Sequence, residues 1–97
     1  PAARPFALAA PAPNPASGVT SATLTLAQPV HVLAVVYDAL GREALVAYDA
    51  LAAGRVVVEV DTTALATGVY VLRAVAVDGS AAQAQRFTVA GGPASVH

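Results

Sequence analysis

The side chains from which a hydrolytic or metal centre could be built are few. The chain holds two His (His31 and His97), six Asp and Glu, and no Cys. A serine nucleophile needs a His base and an acid to orient it. Ser17, Ser21, Ser80 and Ser95 are present, but no G-x-S-x-G elbow surrounds any of them. His31 falls in a strand-like segment and has no second His or Cys at ligand spacing, so it reads as an exposed or rim residue. Glu59, Asp61 and Asp78 would approach one another only if their loops met at one end of the fold. Calcium loops are dense in Asp and Asn, whereas Asn14 is the single Asn here. Asp38, Asp49 and Asp78 instead each stand at the start of a turn, where a carboxylate caps backbone N–H groups. Sugar binding favours aromatic platforms, yet there is no Trp and only Phe6, Tyr37, Tyr48, Tyr70 and Phe87 are aromatic. These residues predict a non-enzyme with no cofactor and no metal. Tyr37 and Tyr48 are the candidates for a polysaccharide platform in the alternative reading, a non-catalytic binding or spacer module of a secreted enzyme.

The elements that must position these side chains are set by composition and pattern. The 97 residues allow one domain, and 57% of them are apolar, chiefly Ala, Val and Leu, with no Ile, Met or Lys. That richness excludes disorder. A net charge of −1, with five scattered Arg, excludes the clustered cations of a nucleic-acid surface. Pro5 to Tyr37 lacks charge, but its five prolines and many Thr and Ser rule out a transmembrane helix.

Residues 1–18 are rich in Pro and Ala and read as an extended linker, with Phe6 and Leu8 in one short edge strand. From Val19, Ala22, Leu24 and Leu26 alternate with Ser21, Thr23 and Thr25, the pattern of a half-buried strand. Val30 to Tyr37 is a second such strand, apolar on both faces. Asp38 to Gly41 closes a hairpin onto a strand over 42–48, and 49–54 reads as a loop. Arg55 to Asp61 turns Val56, Val58 and Val60 inward. Asp61 or Thr62 caps one 3₁₀ turn that ends at Gly68. Strands over 69–77 and 81–90 flank the turn Asp78-Gly79-Ser80. In the last of them Phe87 and Val89 share a parity with Gln83 and Gln85, which predicts a bulge or a frayed start. Ala favours helix, but no window holds helical spacing without a Gly or Pro break. The expectation is an all-β, Ig-like Greek-key sandwich of about seven strands over 19–90, with a flexible tail at 91–97. Tyr-Asp-Ala-Leu occurs at 37–40 and again at 48–51, each with a Gly and then an Arg after it, and reads as two similar hairpin solutions.

Several segments, taken in order, resemble the type A C-terminal sorting domains of the type IX (Por) secretion system. They are Pro13-Asn14-Pro15 before a Thr-rich strand, Tyr37-Asp38-Ala39-Leu40-Gly41-Arg42, Leu65-Ala66-Thr67-Gly68-Val69-Tyr70, and Asp78-Gly79 with Arg86-Phe87-Thr88-Val89. The Ig-like domain of flagellar hook-capping proteins is similar in the hairpin and the Gly-x-Tyr strand.

The resemblance implies a domain at the C-terminus of a larger secreted protein. It would carry its N-terminal cargo through the periplasm and the type IX translocon to the outer-membrane surface or beyond. A surface sortase-like peptidase would remove the domain and attach the cargo. The recognition residues it implies are Pro13, Asn14, Pro15, Tyr37, Asp38, Gly41, Arg42, Gly68, Tyr70, Arg86 and Phe87. Gly41 and Gly68 would permit turns, and Tyr70 would lock a tyrosine corner. Phe87 would anchor the last strand, with Arg42 and Arg86 as exposed contacts. The chain departs from the family in two places. Residues 90–97 contain no Lys or Arg, where members often end in basic residues. The outward parity of the second long strand is His31, Leu33, Val35 and Tyr37, which predicts either a covering segment or self-association through the Leu33/Val35/Tyr37 face.

Overall fold

The structure is a computed structural model that describes residues 6–90. The 91–97 tail and its missing basic residues lie outside that range, as does His97. Alternation decides the architecture. Seven strands form, β1 (Phe6–Leu8), β2 (Val19–Leu26), β3 (Val30–Tyr37), β4 (Glu43–Ala52), β5 (Arg55–Asp61), β6 (Gly68–Ala76) and β7 (Ala82–Val89). They make two antiparallel sheets, ordered β1-β2-β5 and β4-β3-β6-β7. This is the expected all-β sandwich. No helix among the described residues is long and apolar enough to cross a membrane.

The core lies between the sheets. Ala22, Leu24, Val58 and Val60 face Val32, Ala34, Val36, Leu72, Ala74, Phe87 and Val89 in one buried cluster. The small Ala22, Ala34 and Ala74 alternate with larger neighbours, which explains how an Ala-rich chain packs a sandwich without forming helix. Every buried side-chain N or O among the described residues has a hydrogen-bond partner.

Three local expectations are corrected. Residues 49–52 are not a loop: β4 runs on to Ala52, because Val30 to Leu33 need ladder partners and find them in Ala52 to Asp49. The bulge falls in another strand. The β6–β7 register is unbroken, while the β3–β4 register shifts between Ala34 and Val35 and between Val36 and Tyr37. Gln85 keeps its inward parity because its Nε2 donates to the Leu8 carbonyl at 2.8 Å, where β7 meets the edge strand β1. The 3₁₀ turn covers only Thr62–Ala64, capped by Asp61, and its C-cap is Leu65 rather than Gly68.

Among the described residues, the apolar outer face of β3 is flanked by its own sheet. Leu33 lies between Asp49 and Val75, Val35 between Val46 and Arg73, and Tyr37 between Glu43 and Val71. Val35 is 4% exposed through these row neighbours, while Val46 and Leu51 on β4 stay open at 49% and 68%.

Candidate functional site: one end of the sandwich

Antiparallel pairing gathers the singled-out residues, which are far apart in sequence. The end of β3, the start of β4, the start of β6 and the end of β7 all lie at the same end of the four-stranded sheet. One row there runs Glu43, Tyr37, Val71, Arg86 across its outer face. The next row holds Tyr70 against Phe87 on the inner face, with ring centroids 6.0 Å apart. Gly68 lies opposite Val89, which also bridges to Ala16.

Pro13-Asn14-Pro15 arrives at this end by crossing between sheets. Ala9 and Ala12 still bond β2, through Thr23 and Ser21. By Ala16 the chain has moved to β7, where the Ala16 N–H donates to the Thr88 carbonyl at 2.7 Å and the Ala90 N–H to the Ala16 carbonyl at 2.8 Å. Proline has no N–H and cannot continue a ladder, so the crossing falls where the prolines are. The Ala12-Pro13 and Asn14-Pro15 peptides are cis. Two further bonds tie the strap down: the Thr20 hydroxyl donates to the Pro13 carbonyl at 2.8 Å, and the Thr88 N–H donates to Asn14 Oδ1 at 2.9 Å.

The β3–β4 turn is built around Asp38. Its Oδ1 accepts the N–H groups of Leu40 and Arg42, each at 2.9 Å, and its Oδ2 accepts Arg42 Nε at 3.1 Å. Chiefly the Arg42 N–H, helped by the Leu40 N–H and the Arg42 guanidinium, holds the Asp38 carboxyl below the usual carboxylate range. Gly41 sits at φ +84°, a conformation that L side chains resist. Arg42 is exposed, as is Arg86 on β7.

Tyr70 forms the expected corner, its hydroxyl donating to the Ala66 carbonyl at 2.7 Å. Gly68 does not play the expected part. Its φ is not positive, and a Cβ there would meet only Tyr70 Cε1 at an ordinary 3.9 Å. A link with no signal in the sequence closes the same end. The buried Thr62 donates its hydroxyl to the Gly18 carbonyl at 2.5 Å and accepts the Gly18 N–H at 3.1 Å. Beside it, the Thr63 hydroxyl and N–H hold the Asp61 carboxyl below its usual range.

The residues weighed for other chemistry are dispersed. His31 pairs with Asp49 on the exposed surface near the opposite end. Among the described residues no three His, Asp or Glu are grouped so as to hold a metal, Glu59, Asp61 and Asp78 included. Tyr37 and Tyr48 lie on opposite faces of the sheet, Tyr48 being packed against the core, so they form no joint stacking platform. The strap is the part hardest to foresee. Its signal is the pair of prolines flanking a side-chain acceptor, but nothing local in the sequence names Thr88 as the donor.

No curated protein and no solved structure matches the chain. A family model does, that of the secretion system C-terminal sorting domain, over residues 12–89. The matched span opens at the strap and closes at the last residue of β7, and it includes the Asp38 turn, the Tyr70 corner, Arg86 and Phe87. The chain therefore belongs to the family of C-terminal sorting domains of the type IX secretion system.

Proposed function

We propose that this domain directs a cargo fused on its N-terminal side through the type IX translocon to the cell surface, where a sortase-like peptidase exchanges it for a surface anchor. The reading rests on one observation in particular. The residues proposed for recognition meet at one end of the sandwich, while the Asp78-Gly79 turn and Phe6, opposite Leu26 on β2, lie at the other. A cargo joined before Phe6 trails from the far end and leaves the strap, the Asp38 turn, the Tyr70 corner and the end of β7 free to meet the translocon. The translocon reads a folded surface with Arg42 and Arg86 as charged contacts, and no reactive side chain takes part. A fusion of a fluorescent protein to residues 1–97, expressed in a type IX-competent host, tests this. Export and removal of the domain are expected. A fusion that stays periplasmic and uncleaved, while an established sorting domain is exported, overturns it.

A further inference from the structure

We infer that Asn14 is a positioning residue for the closing strand, joining strap and strand into one recognition element. The inference rests on the sorting function proposed above. Thr88 and Ala90 turn their backbone groups toward the edge of β7 away from β6, as their bonds to the strap show. An unpaired edge frays and invites wrong partners. Pro13 and Pro15 cannot donate to that edge, and Ala16 reaches only the Thr88 carbonyl and the Ala90 N–H. The Thr88 N–H, next along that edge before the Thr88 carbonyl, is met by a side chain, with Asn14 Oδ1 standing where a strand carbonyl would be. The bond spans 74 residues of sequence. Thr88 also faces Val69 across the ladder and lies between Phe87 and Val89, the two core anchors of β7. Asn14 thus sets whether the last residues of β7 hold their register beside Gly68 and Tyr70. The group of Asn14 that makes this bond is its side-chain carbonyl oxygen, the acceptor for the Thr88 N–H.

Amide exchange and export together test the inference. In Asn14→Ala, exchange of the Thr88 amide should speed up about fivefold, the factor for one lost hydrogen bond, with β2 and β5 amides unchanged. Export of the Asn14→Ala fusion should fall, and Asn14→Asp, which keeps the acceptor, should restore both readouts. A Val58→Ala fusion supplies the control, because it weakens the core in the other sheet; at a temperature where both variants remain folded it should export better than Asn14→Ala. The inference is overturned if Thr88 exchange is unchanged in Asn14→Ala, if Asn14→Asp exports no better than Asn14→Ala, or if Val58→Ala loses export equally. Failure of the unmutated fusion to export would instead count against the sorting function, and the exchange result would still decide the role of Asn14 in the fold.

Discussion

The same tetrapeptide, Tyr-Asp-Ala-Leu, builds two different structures near the two ends of this molecule. At 37–40 it makes the β3–β4 turn; at 48–51 it stays extended in β4. The difference lies in the residues next along the chain and in the partners each Asp meets. Gly41 comes directly after Leu40 and takes φ +84°, so the chain can reverse and Asp38 can gather the N–H groups of Leu40 and Arg42. After Leu51 come Ala52 and Ala53, and Ala50 and Ala52 remain paired with Val32 and Val30. Asp49 is left on the outer face, where His31 meets it. The contrast extends to the two ends as wholes. The motif end is closed by side chains bonded to backbone, from Asn14, Asp38, Asp61, Thr62 and Tyr70. The opposite end relies more on backbone turns, such as the Gly54 carbonyl accepting from Leu26, although its β6–β7 turn is also tied by the Ser80 N–H donating to Asp78 Oδ1 at 2.8 Å. Side-chain locks fix a surface in one shape, as a recognition surface requires.

Substitutions at the two ends should break or sharpen this contrast. The largest effect is expected at Gly41, where Gly41→Ala should cost roughly 1–2 kcal/mol in urea unfolding because a Cβ is forced into the left-handed region. Gly68→Ala, with no such φ, should stay within about 0.5 kcal/mol. Next comes Tyr70→Phe, which removes the hydroxyl bonded to Ala66 and should cost about 1 kcal/mol in the same measurement. The Asp38 carboxyl is held below its unfolded value, so its contribution is present above that value and is lost as pH falls through the folded one. Acid unfolding monitored by circular dichroism below about pH 4 should therefore be less pH-dependent in Asp38→Asn than in the unmutated chain. The smallest effect belongs to the second tetrapeptide: Asp49→Ala and His31→Ala should each change stability by less than about 0.5 kcal/mol, since the pair is exposed.

The parts of the fold written in alternation are legible in the sequence, and the parts set by contacts between distant residues are not. Ala22, Leu24, Leu26, Val56, Val58 and Val60 alternate strictly, and their strands form as the alternation predicts. The end of β4 misleads because Asp49 is a good turn residue locally, and the ladder demand of β3 outweighs that preference. Gln85 suggests a bulge because a polar side chain on the inner parity looks out of place until Leu8 is known to lie beside it. The turn at Asp38 and the corner at Tyr70 are readable, as each bond closes over four residues. Asn14–Thr88 and Gly18–Thr62 close over 74 and 44 residues, and only the folded chain brings those partners together. Gly68 suggests a turn because it precedes a strand; its backbone is that of the strand itself.

Placement of the proposed sorting signal at the motif end is tested most directly by the extracellular fraction of the fluorescent fusion carrying Arg42→Ala with Arg86→Ala, compared with Arg55→Ala. All three arginines are exposed, but Arg55, opposite Thr25, lies at the far end. The double substitution should lower export and leave the domain folded, while Arg55→Ala should export like the unmutated fusion. Equal export of all the fusions, or loss with Arg55→Ala alone, would contradict that placement.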